Sequence, residues 1–337
     1  MEEILIRQMN KQMKGNPPLY FYTDVWYTLL NRNLKYRPFI KYGGSESRME
    51  ILVLGGTKYF GIHMVEELIK KGHNVTIATR GMTKDTYGNS VRRLVVERSS
   101  AKNMEEVFSN KTFDVVCDNI AYCSNDVKYA LDSIKCKRYV MTSSMSVYDD
   151  LHVNTMESDF NPHEKPLKWC DRTDYPYGEV KRLAECALFQ AYPSQNSAAV
   201  RFPFVIGTGD YTKRLYFYIE HVVKGIPMFI DNIDAQMEFV SSNEAGRFLA
   251  FLAEQECTGP VNGSSTGTIS LREIIVYVEG KTGRRAALSN AGDNGPYNCA
   301  PDYSLNTRLA SEWEFDFSPL KSWIYDLIDK YIEEAMA

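Results

Sequence analysis

What this 337-residue chain lacks narrows the field before any motif is read. No stretch approaches the roughly 20 apolar residues of a membrane-spanning helix, so no membrane segment is expected. The N-terminal MEEILIRQMNKQMKG has no long apolar core of a secretion signal. There is no CxxC pair among the seven cysteines, at 117, 123, 136, 170, 186, 257 and 299. Thiols scattered in this way read as reduced and cytosolic, which excludes a disulfide frame and makes a cytoplasmic location the expectation. The five histidines are dispersed, none at a metal-ligand spacing, so no metal is expected. Excess basic charge is missing too. A formal net charge of −4 argues against nucleic acid as a general partner, although a local basic patch stays open. There is no internal repeat and no low-complexity tract.

What is present is an alternating pattern. ILVLGG, from Ile51, is a short apolar run ending in glycines, as a buried parallel strand does. Ile62, Val65, Leu68 and Ile69 follow at helical spacing, and Lys70, Lys71 and Gly72 close that helix with cations and a glycine. NVTIATR and RLVVER read as further strands. A helix near 103–110, the strand FDVVCDNIAY, a helix around 124–135, the strand RYVMTSS, a helix over 177–191 and the strand SAAVRFPFVIG continue the rhythm. This order predicts an α/β fold: a Rossmann-type doubly wound parallel sheet over 49–205, with helices on both faces. Residues 206–337 are less regular and are expected to form most of a smaller C-terminal substrate lobe, with 236–256 returning to the first domain. Residues 1–48 carry aromatics without a period, and Met49 begins MEILVLGG like a natural start. An accessory arm, a tether for a partner and an upstream sequence from a misplaced start codon are all readings of this extension.

The loop after the first strand is Gly55, Gly56, Thr57, Lys58, Tyr59, Phe60, Gly61. Between a strand and a helix, glycines let the backbone approach a pyrophosphate, and the helix start favours an anion. Lys58 stands where a close-approach glycine is usual, and it offers a cation instead. The second strand ends in Thr79 and Arg80, where NAD sites usually carry an acid for the ribose 2′-hydroxyl. Arginine can bond a 2′-phosphate, so NADP is favoured over NAD. The alternative is that Arg80 stacks on adenine or faces solvent.

In DYPYGEVKRLAE, Tyr177 and Lys181 are four residues apart and share a helix face. A lysine ammonium beside a tyrosine is expected to lower the phenol toward a useful range. MTSSMSVYDD places Ser144 at the C-terminal edge of the sheet, where ligands sit in open α/β folds.

With these motifs in this order, the chain resembles the extended short-chain dehydrogenase/reductase family, the NAD-dependent epimerases and dehydratases, over roughly 49 to 330. The resemblance rests on GGTKYFG, VVERSS, DVVCDNIAY, TSSMSVY and PYGEVK, and continues through RFPFVIGTGD, EFVSSNEAGRFLAF and GTISLREIIVYV. It implies that Tyr177 is the general acid/base. Lys181 tunes it and holds the nicotinamide ribose, and Ser144 bonds the reacting oxygen. It also implies that Glu97 and Arg98 lie near adenine and that Ala121 and Tyr122 border the cofactor. The implied activity is an NAD(P)-dependent epimerase or reductase acting on a hydroxyl or keto carbon of a small molecule such as a nucleotide-sugar, with a homodimer left open.

Three departures matter. Lys58 matches the atypical GGTxFxG-type branch, which includes RNA-associated members and members of unknown activity. A non-catalytic cofactor-binding sensor or RNA-associated homologue is therefore the alternative. Met145 and Ser146 stand where sugar 4,6-dehydratases carry Asp and Glu, so that reaction is disfavoured. The arginine that often precedes the aromatic residue of the returning strand is replaced in the Gln236-Met237-Glu238 region, which bears on diphosphate recognition. Cys117 and Cys123 are expected in the core. Tyr148 is divided between packing and substrate contact. His163, Lys213 and Arg214 are read first as solvated.

Overall fold

The computed structural model describes residues 48–337. The N-terminal extension lies outside these residues, and so does the question of its role.

The first strand, β1 (Glu50–Leu54), leads through the glycine loop into helix α1 (Phe60–Lys70) and strand β2 (Asn74–Thr79). Then follow β3 (Val91–Val95), α2 (Ala101–Phe108), β4 (Thr112–Asp118), α3 (Ser124–Ser133) and β5 (Lys135–Thr142). Helix α4 (Tyr177–Cys186) precedes β6 (Asn196–Arg201), and β10 (Gly259–Asn262) adds the last strand. These strands form one parallel sheet of seven, in the order β10-β6-β5-β4-β1-β2-β3. β1 lies between β2 and β4, with Leu54 beside both Ala78 and Asp118. The order reverses there, and a crevice opens beyond the carboxyl ends of the strands. The fold is the expected Rossmann-type α/β architecture.

Burial follows the apolar pattern. Ile51, Val53, Met64, Val65 and Leu68 join one core layer, and Leu52, Leu54, Met104 and Phe108 join the layer on the other face of the sheet. Side chains that alternate along β1 thus feed opposite faces, as a doubly covered strand requires.

SAAVRFPFVIG departs from the expected single strand. It breaks at Pro203, which has no N–H to give a ladder. β6 ends at Arg201, and a new strand, β7 (Phe204–Ile206), pairs instead with β9 (Phe239–Ser241). Helix 177–191 is also shorter than expected. Its last turn, 187–191, widens to a π turn.

After β7 come α5 (Arg214–Lys224), the short strand β8 (Met228–Phe229), α7 (Leu271–Thr282), the short helix α8 (Arg308–Glu312) and α9 (Ile324–Met336), and α5, α7 and α9 pack around Leu215, Ile219, Ile274, Val278, Ile328 and Ile332. Helix α6 (Ser242–Ala253) goes elsewhere. Phe248, Leu249 and Leu252 join the same core as Val65 and Leu68 of α1.

Candidate functional site

The glycine loop turns sharply at the end of β1. Gly55 and Gly56 have φ of +97° and +89°, a region that side chains disfavour, which is why the turn needs glycine. The loop lines a cavity of about 570 Å³ over the sheet edge. All seven loop residues from Gly55 to Gly61 line it, together with Arg80, Glu97, Arg98 and Tyr122. Lys58 and Arg80 have no carboxylate partner among the described residues, and Lys58 Nζ lies 5.9 Å from the Tyr211 ring. A cavity of this size, floored by a glycine turn and walled by unpaired cations, suits an anionic dinucleotide.

Arg98 both borders the cavity and braces the fold. Its guanidinium turns into the protein. Nη1 and Nη2 donate to the two Asp118 carboxylate oxygens at 2.6 and 2.7 Å, and Nη2 also donates to the Asp126 carbonyl at 2.7 Å. Tyr139 donates its hydroxyl to the same Asp118. Arg98 thus ties β4 to α3. Glu97 remains on the cavity side. Bonds from Ser99, and then the charges of Arg80 and Arg172, hold its carboxyl below the usual range.

The second cluster is built from β5, the turn after it and α4. Ser144 caps that turn, its Oγ accepting from the Ser146 N–H at 3.1 Å. Helix α4 starts close by because its second residue is Gly178. A β-carbon there would lie 2.6 Å from the Ser146 carbonyl oxygen, closer than real contacts allow. This approach brings Tyr177 beside Ser144. Further along, the helix is locked to β6. Glu185 and Arg201 are fully buried and paired through Arg201 Nη2 at 2.6 Å, and Arg201 also donates to the carbonyls of Glu157 and Phe160. The Ser143 hydroxyl reaches Glu185 as well.

Lys181 is 3% exposed, and its ammonium donates to the carbonyls of Ala121 at 2.7 Å and Thr142 at 2.9 Å. Burial draws its pKa down to about 8. The expectation that this ammonium lowers Tyr177 is not met. Nearly half of Tyr177 is exposed, yet desolvation is the largest influence on its phenol and raises it above the ordinary range. The opposing pull comes from Ser144 and Arg214. Lys181 Nζ is 6.0 Å from the Tyr177 ring and closer, 5.0 Å, to that of Tyr122.

Tyr122 therefore stands where the two clusters meet. It lines the cavity, whereas Ser144, Tyr177, Lys181 and the buried Ala121 do not. The Tyr122 and Tyr177 rings meet edge to face at 6.3 Å. One arginine that sequence reasoning did not assign to the site borders it. Arg172 lines the cavity with its guanidinium 4.4 Å over the Tyr122 ring, and no local spacing signals it. Arg214 is exposed, as a solvated charge is, and lies 5.3 Å over Phe204 outside the cavity lining. Other residues take the plainer reading. Cys117 and Cys123 are buried, Lys213 pairs with Glu334, and the Tyr148 hydroxyl donates to Asn262 inside the core. No cluster of metal-binding side chains occurs among the described residues.

Among known proteins, the chain is similar to the chloroplast stem-loop binding protein of 41 kDa b of Arabidopsis thaliana, with 25% identity over 58% of this chain. That match takes in 52% of the plant protein, so the chain spans about half of its length. The chain is also similar to UDP-glucuronic acid decarboxylase 1 of Xenopus tropicalis, with 22% identity over 83% of this chain and 71% of the other. Among solved structures, UDP-glucuronic acid 4-epimerase of Bacillus cereus in complex with NAD shares the fold, with a TM-score of 0.61 and 15% identity. That alignment covers 84% of this chain and all of the other. Residues 51–264, which hold the glycine loop, Ser144, Tyr177 and Lys181, match the NAD dependent epimerase/dehydratase family, and the chain belongs to it.

Proposed function

We propose that this protein is an NAD(P)-dependent epimerase or reductase acting at a hydroxyl or keto carbon of a nucleotide-sugar. One observation carries the reading: Ser144, Tyr177 and Lys181 converge at the sheet edge, beside a cavity that suits a dinucleotide. When bound, the nicotinamide supplies hydride transfer to or from the substrate carbon. The protein supplies the rest. The Gly55–Gly61 loop holds phosphates, Ser144 orients the reacting oxygen, and Tyr177 moves its proton. Burial raises the Tyr177 phenol, which favours its neutral, proton-donating form. Lys181, below its ordinary range but still largely cationic at pH 7, holds the ribose end and the backbone around it. The nucleotide-sugar substrate is supported by the names of the decarboxylase relative and the epimerase structure.

Tyr177→Phe tests this. Turnover with a nucleotide-sugar should fall by about 10²–10⁴, the usual worth of a positioned acid/base, while NADH affinity stays close to that of the wild type. Full turnover in the variant would end the mechanism. NADP is proposed as the preferred cofactor because Arg80, which follows β2 and lines the cavity, has no carboxylate partner among the described residues and can bond a 2′-phosphate. Arg80→Ala should erase a preference of about tenfold for NADPH over NADH. Equal binding of both by the wild type would refute it.

A second reading has one observation behind it, the stem-loop binding named for the plant relative. The net charge of −4 weighs against it. Binding to a stem-loop RNA at two salt concentrations decides. Tight binding that falls steeply with salt would favour this reading over the enzyme.

A further inference from the structure

Beyond the glycine loop, a third wall of the cofactor cavity comes from the segment just before α4. Ser124 and Asn125 pin this segment to the start of α3. The Ser124 hydroxyl donates to the Lys168 carbonyl at 2.8 Å, and Asn125 donates to the Asp171 carboxylate at 2.8 Å. Arg172 follows immediately. Its Nε donates to Asp126 Oδ2 at 3.0 Å and its Nη2 to the Ile120 carbonyl at 3.0 Å. Nη1 has no protein partner among the described residues. One face of the guanidinium covers the Tyr122 ring, and the side chain is 41% exposed. An arginine that lines a cavity with one edge fixed by protein partners has lost much of its side-chain freedom already. Such a group binds an anion at reduced entropic cost.

We propose that Arg172 is a cofactor-binding residue that donates from Nη1 to a phosphate of the dinucleotide. Through Tyr122, it ties occupancy of the cavity to the position of Tyr177 and Lys181. This rests on the nicotinamide-cofactor reading above. Three features favour a phosphate over a neutral group. Arg172 shares the cavity lining with Lys58, Arg80 and the inward-turned Arg98, four cations against one acid, Glu97. Both Arg80 and Arg172 act on Glu97, so they flank the same part of the cavity. Asp126 takes the Nε and Nη2 side of the guanidinium, so Nη1 keeps a donor that no described residue accepts from.

The test uses the full chain, with NADH and NADPH titrated separately by cofactor fluorescence. Arg172→Met should weaken the wild-type affinity about tenfold or more, and Arg172→Lys, which keeps a charge, should recover part of the loss. Equal loss for both cofactors places the contact on the pyrophosphate. Loss for NADPH alone places it on the 2′-phosphate. Wild-type affinity in Arg172→Met overturns the proposal and leaves the cofactor reading standing. A loss as large in Arg172→Lys as in Arg172→Met also overturns it, because the residue would then only hold its loop in place. Thermal melting without cofactor checks that the variants are folded. Failure of the wild type to bind either cofactor would instead remove the cofactor reading itself, and this proposal with it.

Discussion

The two sides of the cleft satisfy their polar groups very differently. On the cofactor side, Arg98, Asp118, Asp126 and Tyr139 form a closed set. Each carboxylate has an arginine, and Arg98 Nε, which has no formal hydrogen bond, still lies 3.4 Å from Asp126. Toward the C-terminal helices, the buried Tyr297 hydroxyl has no partner among the described residues and feels the Asp210 carboxylate. Arg214 has no carboxylate among the described residues. Glu238 is buried without a cation, and burial pushes its carboxyl up to about 7. Buried polar groups in folded proteins are nearly always paired, so unmet capacity marks a region with another demand on it. The first side is a frame. The second retains unmet hydrogen-bonding capacity.

The largest effect is expected at a second closed pair, the buried Arg201–Glu185 contact under α4. Arg201→Met leaves Glu185 as an uncompensated buried charge. Stability should fall by about 3–5 kcal/mol, read as a lower urea midpoint at unchanged slope. A loss below about 1 kcal/mol would mean that this pair does not anchor α4.

Glu238 tests the other side through pH. Its folded value, about 7, lies above the ordinary 4.5, so the folded state keeps a proton that the unfolded chain has released. The associated stability is fully present below pH 4.5 and is lost as pH rises to about 7. The two values correspond to about 3 kcal/mol at most. The gap between wild type and Glu238→Gln should therefore shift in favour of the variant between pH 4.5 and 7. Parallel profiles over that window would show that the carboxyl is not perturbed.

The smallest effect sharpens the join between the two sides. Gly178→Ala should push the start of α4 away from Ser146, costing about 1–3 kcal/mol and lowering kcat more than it raises KM. Unchanged kcat would show that the placement of Tyr177 does not depend on this approach.

The parts of the fold and site that were legible are those set by short spacings. The strand-loop-helix unit around Gly55 and the four-residue step from Tyr177 to Lys181 are local, and the structure forms both. What was not legible depends on residues far apart in the chain. Arg172 meets Asp126 across 46 residues, and Arg201 meets Glu185 across 16. No period in the sequence encodes either meeting. The tuning of Tyr177 was misread because helical spacing fixes which face a lysine occupies, not which acceptors it finds. Here the carbonyls of Ala121 and Thr142 take the ammonium. The break at Pro203 was readable, since proline seldom sits inside a strand.

The covering of α1 by α6 has a consequence for how the chain is made. Val65 and Leu68 are buried against Phe248 and Leu252, and His73 bonds Glu254 at 2.9 Å, 181 residues later. At ribosomal rates of about 5–20 residues per second, roughly 10–40 s pass between synthesis of the one helix and arrival of the other. Throughout that interval the helix behind the glycine loop carries an uncovered apolar face. The nascent chain is then most exposed to aggregation and most dependent on chaperones, and the first half of the protein cannot finish folding until the second has emerged.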